Sequence, residues 1–248
     1  MMKAPLGSFL ARNPFPHGLT DGLFYREKMR AIHRVAPARL GDHGGRPRIL
    51  EVGGGRSGLA RMLYPDAEVV TLDVDFELHG QGPAGAASLF VCGDARRLPL
   101  SDATFDAVTL FDVLEHIHDD ALAVEEALRV TRPKGVVLVS TPNIDWRYPF
   151  YGVMKPLCPP ETELMATWGH VRRGYSLQQL VGLFGASPER SATFINPVTS
   201  FYHDVAFSRL RRRTRRLLYA LTAPIISIGY LAHRPTARGS ETAFAWRR

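Results

Sequence analysis

The chain has 248 residues, 45% hydrophobic and 22% charged, the ordinary mixture of a soluble globular protein. That length suits one α/β domain with a small appendage, and scattered glycines and prolines among plentiful apolar residues exclude collagen-like, coiled-coil and wholly disordered chains. The net charge of +7 is uneven: residues 201–248 hold ten arginines against Asp204 and Glu241, so the remainder is close to neutral.

Cys92 and Cys158 are too few for a disulfide framework and have no metal-binding spacing; the expectation is reduced thiols in a cytoplasmic protein. Pro5, Gly7, Pro14 and Pro16 interrupt the first 25 residues, so no continuous apolar stretch suggests a signal peptide. The longest uncharged apolar run, Leu217–Ala232, contains Pro224 and Gly229 and falls short of the ~20 residues a spanning helix needs.

In chain order, a Pro- and Gly-rich loop precedes a predicted helix at Gly22–Val35, followed by a turn-rich spacer (Gly41, Gly44, Gly45, Pro47). The run Arg48–Val52 reads as a strand, Leu59–Leu63 as a helix and Glu68–Asp73 as the next strand. Gly80–Ala87 reads as a loop, and Ser88–Cys92, Phe105–Phe111 and Gly135–Ser140 as further strands, with a helical pattern through Leu122, Glu125, Glu126, Leu128 and Arg129. Ser176 is placed to cap a helix at Leu177–Phe184, and Thr193–Asn196 and Thr242–Trp246 read as the last two strands. Strands alternating with helices predict βαβ units and a mostly parallel sheet.

Glu51-Val-Gly-Gly-Gly-Arg-Ser-Gly58 stands where a strand ends and a helix begins. Glycines there let the backbone pass close beneath a ligand and leave helix N–H groups pointing at it. Asp73 ends the next strand, twenty residues beyond Gly53, where a carboxylate can accept both hydroxyls of a ribose. The expectation is a nucleoside-bearing cofactor.

The order continues through Cys92-Gly-Asp94-Ala95, Leu98-Pro99, Phe105-Asp106 and Leu114-Glu-His116. Over roughly residues 45–145 the sequence resembles the class I S-adenosylmethionine-dependent methyltransferases, particularly the group that methylates small molecules. It departs from their loop pattern in placing Ser57 before Gly58. The resemblance implies an α/β, Rossmann-like sheet of seven mostly parallel strands, helices on both faces and an antiparallel last strand. It implies that Glu51, Gly53 and Gly55 hold the methionine part of S-adenosylmethionine, Asp73 the ribose, and Asp94 and Ala95 the adenine.

Asp112-Val-Leu-Glu115-His116 follows the fourth predicted strand, at the sheet edge where open α/β folds bind substrates. Methyl transfer needs an aligned nucleophile and, for a hydroxyl, a proton acceptor. His116 is the natural base, with Asp112 beside it; the bland reading is a Leu-Glu-His that only orients the following helix. Asp112, Glu115 and His116 also resemble the ExxEH divalent-metal cluster of ubiquinone-pathway O-methyltransferases, Asp112 replacing its first Glu.

Residues 143–175 read as a substrate-facing loop, with Tyr148, His170, Arg172 and Tyr175 as candidate acceptor contacts. Tyr151 and Lys155 match a short-chain dehydrogenase pair, but Pro149, Gly152 and Pro156 break the helix it requires.

In 205–232, Phe207, Leu210, Thr214, Leu217 and Leu221 would share one helical face, with six arginines on the remainder. Three readings stay open: an anionic membrane surface on the inner face of the membrane, a packed or oligomerising helix, and a nucleic-acid stripe, which lacks interleaved aromatics. The organisation expected is a helical lead (1–45), a cofactor-binding core (46–200), a basic and apolar insertion (201–240) and a final strand (241–248). The function expected is methylation of a small or amphiphilic acceptor on oxygen or carbon. The rivals are an NAD(P)-binding oxidoreductase and a non-catalytic nucleoside-binding module.

Overall fold

The computed structural model describes residues 2–15, 21–41, 45–54, 58–78 and 89–248, with Asp21 by its backbone alone. Gly44, Gly55, Ser57, the expected loop Gly80–Ala87 and Ser88 lie outside the described residues. The lead carries α1 (Leu6–Ala11) and α2 (Asp21–Val35); then come β1 (Arg48–Val52), α3 (Leu59–Leu63), β2 (Glu68–Asp73) and β3 (Leu89–Cys92). They are followed by β4 (Phe105–Phe111), α4 (Asp120–Val130), β5 (Thr131–Pro142), α5 (Glu161–Trp168) and α6 (Leu177–Phe184). The chain closes with β6 (Arg190–Phe194), α7 (Ser200–Ala206), α8 (Arg212–Ala232) and β7 (Glu241–Arg247).

The seven strands form one sheet in the order β3-β2-β1-β4-β5-β7-β6. Strands β1 to β5 pair in parallel, and β7 runs antiparallel between β5 and β6. The chain order reverses between β1 and β4, and an open α/β sheet offers its binding crevice at the carboxyl ends of the strands beside such a switch point.

Strand side chains alternate between the two faces. Ile49, Val136 and Leu138 pack against Phe9, Met29, Ile32, Leu59 and Leu63 of α1, α2 and α3. Leu50, Val137 and Val139 pack on the other face against Val124, Ala127, Leu180 and Phe184 of α4 and α6. A third cluster, outside the sheet, joins Trp146, Tyr148, Leu164, Tyr202, Tyr219 and Ile226.

The expected strands and the α2, α3, α4 and α6 helices are present, and Ser176 forms a full capping box with Gln179. Four expectations need correction. Helix α1 forms within the region read as loop. Residues 143–175 contain α5 and a 3-10 turn, with Glu161 and Glu163 in the first turn of α5, where the helix dipole favours them. Strand β6 runs Arg190–Phe194, stopping before Ile195, whose φ of 54° leaves the extended region.

The largest correction concerns 205–232, which is two helices. The Phe207 carbonyl accepts the Tyr148 hydroxyl and the Arg209 N–H donates to the Leu157 carbonyl, drawing this stretch out of helical bonding. Phe207 and Leu210 therefore pack inward on the third cluster, while Leu217 and Leu221 on α8 point outward.

Helix α2 buries Glu27, whose Oε1 accepts the Thr199 hydroxyl at 3.2 Å while Oε2 has no partner. Burial pushes its carboxyl up to about 8. A carboxyl raised in the folded state takes up a proton on folding, so its stabilising share is complete at acid pH and is lost as pH rises through that value. The melting temperature should therefore fall from about pH 5 to above about pH 8, and Glu27→Gln should shrink the fall. An undiminished fall in a folded variant would contradict this.

Candidate active site

At the carboxyl ends of β1, β2 and β4 lies a cavity of about 460 Å³, within the range of small-ligand sites. Its walls include Gly53, Asp73, Asp94, Ala95, Asp112 and His116. Gly53 has φ of +63°, and a Cβ there would come within 2.6 Å of the Val113 side chain, so only glycine lets the chain turn this close to the cavity. These walls fit a nucleoside: an open carboxylate at the tip of β2, a second acid on the β3 loop and apolar surface from Leu72 and Ala95 between them.

Glu51 and Asp94, also expected to meet the cofactor, both have protein partners. Glu51 is 2% exposed, and its Oε1 accepts the Ala60 N–H at 3.0 Å, so it fastens the start of α3 beneath the glycine turn. Burial raises its carboxyl, opposed by those backbone donors. Asp94 is grasped by Arg96, which also reaches Asp119; hydrogen bonds from Arg96 hold the Asp94 carboxyl below its ordinary range. Arg96 itself lines the cavity and was not anticipated from sequence.

At the end of β4, Asp112 adopts φ of 54° and turns its carboxylate inward. Oδ1 accepts the Ser140 hydroxyl and Oδ2 accepts Lys28 Nζ of α2, both at 2.5 Å. Burial alone would lower the Lys28 ammonium, but Asp112, Tyr25 and Glu241 outweigh it and hold it above its ordinary value. Glu115 is 1% exposed and accepts from Thr141; burial, then the Asp112 charge, push it up to about 8. Half-buried Glu241, opening β7, is raised by burial and by Asp112.

His116 lies at the cavity's rim. Its Nδ1 faces the Gly169 carbonyl at 3.1 Å; a carbonyl can only accept, so Nδ1 carries the hydrogen and the neutral ring keeps its lone pair on Nε2. The His116 ring meets His170 at 4.8 Å, His170 meets Trp168 at 5.3 Å, and Trp168 meets His203 at 5.8 Å. Trp168 and His203 line a small second cleft with Trp146, Phe150 and Glu241. Burial, then His116, lower His170 to about 4, so its ring is neutral near pH 7.

Of the four residues proposed to meet the acceptor, His170 stands within this ring series and Tyr148 meets its far end, 5.8 Å from His203. Tyr148 donates to the Phe207 carbonyl. Arg172 is bonded to Asp120 and to the Ile117 and His118 carbonyls, and Tyr175 donates to Asp120 and the Leu114 carbonyl, so both brace the β4–α4 loop. His203 was missed, since it stands on a helix with no local motif.

For a metal, the structure brings Glu115 and His116 together with His170, their ligand atoms within 4.8 Å, while Asp112 is engaged by Lys28 and Ser140. Tyr151 and Lys155 form no catalytic pair: the tyrosine hydroxyl donates to the Pro197 carbonyl and the lysine lies on a 3-10 turn.

Asp73 stands at the cavity wall, so if its carboxylate accepts from a bound ribose, Asp73→Ala should weaken nucleoside-cofactor binding by ~1.5–3 kcal/mol. Isothermal titration giving an unchanged dissociation constant in the folded variant would remove Asp73 from the site.

Residues 50–139 match the family described as "Methyltransferase domain". A protein of Mycolicibacterium smegmatis named as a probable S-adenosylmethionine-dependent methyltransferase is 38% identical over 113 residues, 45% of this chain and 44% of that one. A demethylmenaquinone methyltransferase of Renibacterium salmoninarum is 34% identical over 139 residues, 55% and 56% of the two chains. The chain thus spans about half the length of these curated relatives. Among solved structures, the N-methyltransferase NodS of Bradyrhizobium japonicum, in complex with S-adenosyl-L-homocysteine, shares the fold at a TM-score of 0.56 and 13% identity, covering 98% of this chain and 96% of that one. Residues 50–139, which span β1 to β4 and most of β5, thus carry a methyltransferase domain similar to that of relatives named as S-adenosylmethionine-dependent methyltransferases, on a fold shared with a solved N-methyltransferase.

Proposed function

We propose that the protein transfers the methyl group of S-adenosylmethionine to a small, lipid-like acceptor with a flat ring, on oxygen or carbon. The observation that carries this reading is His116 at the rim of the cofactor cavity, in a series of ring contacts with His170, Trp168 and His203; the cleft beyond them is only about 20 Å³, so an acceptor ring would enter by displacing these side chains. Aromatic side chains beside the cofactor cavity suit contact with a flat apolar ring. The relative named demethylmenaquinone methyltransferase supports an acceptor of that class.

Bound in the larger cavity, S-adenosylmethionine supplies a methyl group activated by a sulfonium. Asp73 accepts from the ribose hydroxyls, the turn at Gly53 brings the backbone close, and Ala95 presents apolar surface beside the adenine. The Nε2 lone pair of His116 takes the acceptor's proton where the acceptor is a hydroxyl. Asp112, held by Lys28 and Ser140, acts as an orienting anion. The oxidoreductase alternative finds no support, because Tyr151 and Lys155 lie outside both cavities.

A cell extract divided into lipid and aqueous phases, incubated with methyl-labelled S-adenosylmethionine, should yield label in a lipid-phase product. His116→Ala should lower its formation by ~10²–10⁴ while leaving cofactor affinity intact, if the acceptor is a hydroxyl. Label confined to aqueous metabolites would overturn the acceptor class, and undiminished turnover in that variant with a hydroxyl product would remove His116 as base.

A further inference from the structure

Helix α8 has one fastened face. The Tyr202 hydroxyl donates to the Tyr219 carbonyl at 2.6 Å, Ile226 is buried, and Arg30 stacks on the Tyr230 ring at 4.0 Å while bonding its carbonyl. At Gly229 the helix comes so close to the preceding connection that a Cβ would lie 2.6 Å from Val198. The opposite face carries Leu217, Leu221, Ile225, Ile228 and Leu231, all 58–75% exposed. Their spacings of three and four residues set them in one stripe along the helix. Single exposed leucines are normal; a continuous row of five large aliphatic side chains marks an interaction surface.

The charge beside that stripe is of one sign. Arg211, Arg212, Arg213 and Arg216 are exposed around the helix's first turns, and residues 207–240 contain no Asp or Glu. Cations at a helix N-terminus oppose the helix dipole, so this cluster does not serve the helix in water. It gains from an anionic surface that meets the arginines as the aliphatic stripe enters an apolar layer. A second copy of the chain would fit poorly. A parallel pairing of two α8 helices sets arginine on arginine, and an antiparallel one sets it near the basic residues Arg234 and Arg238, with no carboxylate in the segment to compensate.

We propose that α8 seats the protein on an anionic lipid bilayer, lying in the interface with Leu217, Leu221, Ile225, Ile228 and Leu231 inserted and the arginines at the phosphate level. No helix among the described residues is long and apolar enough to cross a membrane, so the contact is interfacial. Helix α7 lies between this surface and the aromatic cleft: Tyr202 packs on Tyr219 while its neighbour His203 lines the cleft. The proposal is measured without methyl transfer and so stands or falls apart from the acceptor reading.

The test is co-sedimentation at low salt with vesicles of phosphatidylcholine alone or mixed with phosphatidylglycerol. The intact protein should bind the mixed vesicles about tenfold or more tightly than the neutral ones, and high salt should weaken the difference. The folded triple variants Leu221→Ser/Ile225→Ser/Ile228→Ser and Arg212→Ser/Arg213→Ser/Arg216→Ser should each lose about tenfold or more. A polarity-sensitive dye on Leu221→Cys, in a Cys92→Ser background, should shift to the blue on the mixed vesicles, and inorganic phosphate should not reverse it. Failure of the folded protein to bind the mixed vesicles would overturn the proposal. So would release by inorganic phosphate, which marks a free-anion site, or a dimer abolished by the aliphatic variant with no vesicle binding.

Discussion

The contact of Lys28 with Asp112 is the constraint from which the site's arrangement follows. Asp112 sits in a left-handed conformation at the tip of β4, an unfavourable place for a residue with a side chain. It is held there by the Lys28 ammonium from one side and the Ser140 hydroxyl of β5 from the other. One ion pair thus ties the N-terminal helix α2 to the carboxyl edge of the sheet, where the cofactor cavity opens. It also brings a cation to other acids: Glu115 and Glu241 feel its charge, and burial and the Asp112 charge raise both of them. Lys28 faces Asp112 directly, while burial and the Asp112 charge make Glu115 and Glu241 hold their protons more tightly.

From that anchor the two halves of the site divide the work. The turn at Gly53, Asp73 and the β3 loop form a polar and apolar cradle on the β1–β2 side. On the β5–β7 side, α5, α7 and the loop before them build aromatic walls. They are joined by Asp204, fully buried, which accepts the Phe150 and Tyr151 N–H groups at 2.8 Å. His116 and His170 stand where the halves meet. The outer helix α8 packs on the aromatic side through Tyr219 and Ile226 and on α2 through Tyr230.

The parts legible in the sequence are those in which local pattern and tertiary demand agree. Strands β1, β2 and β4 are mostly apolar because both faces of the sheet are covered, and α6 carries its own capping box. The place of Gly53 and Asp73 at the cavity could be read because it depends on position along a strand–turn–helix unit. Glu51 shows the limit of such reading: the right residue was singled out, yet its carboxylate serves the α3 N-terminus. Arg172 and Tyr175 looked like acceptor contacts because polar and aromatic residues in a long loop suggest them. Their partners, Asp120 and the Leu114, Ile117 and His118 carbonyls, lie more than fifty residues away, a distance no local pattern spans. The break between α7 and α8 was hidden for the same reason, since Phe207 and Leu210 continue the helical spacing while long-range hydrogen bonds end the helix.

A double-mutant cycle on Lys28→Met and Asp112→Asn, followed by denaturant unfolding, tests the central claim most directly. Removing one partner of this part-buried pair leaves the other's charge poorly compensated, so each single variant should lose about 1.5–3 kcal/mol while the double variant recovers much of that loss. Lys28→Met should lose more at alkaline pH, where Glu115 ionises beside the uncompensated Asp112. Single variants within about 0.5 kcal/mol of the parent, or losses that simply add in the double variant, would contradict the account.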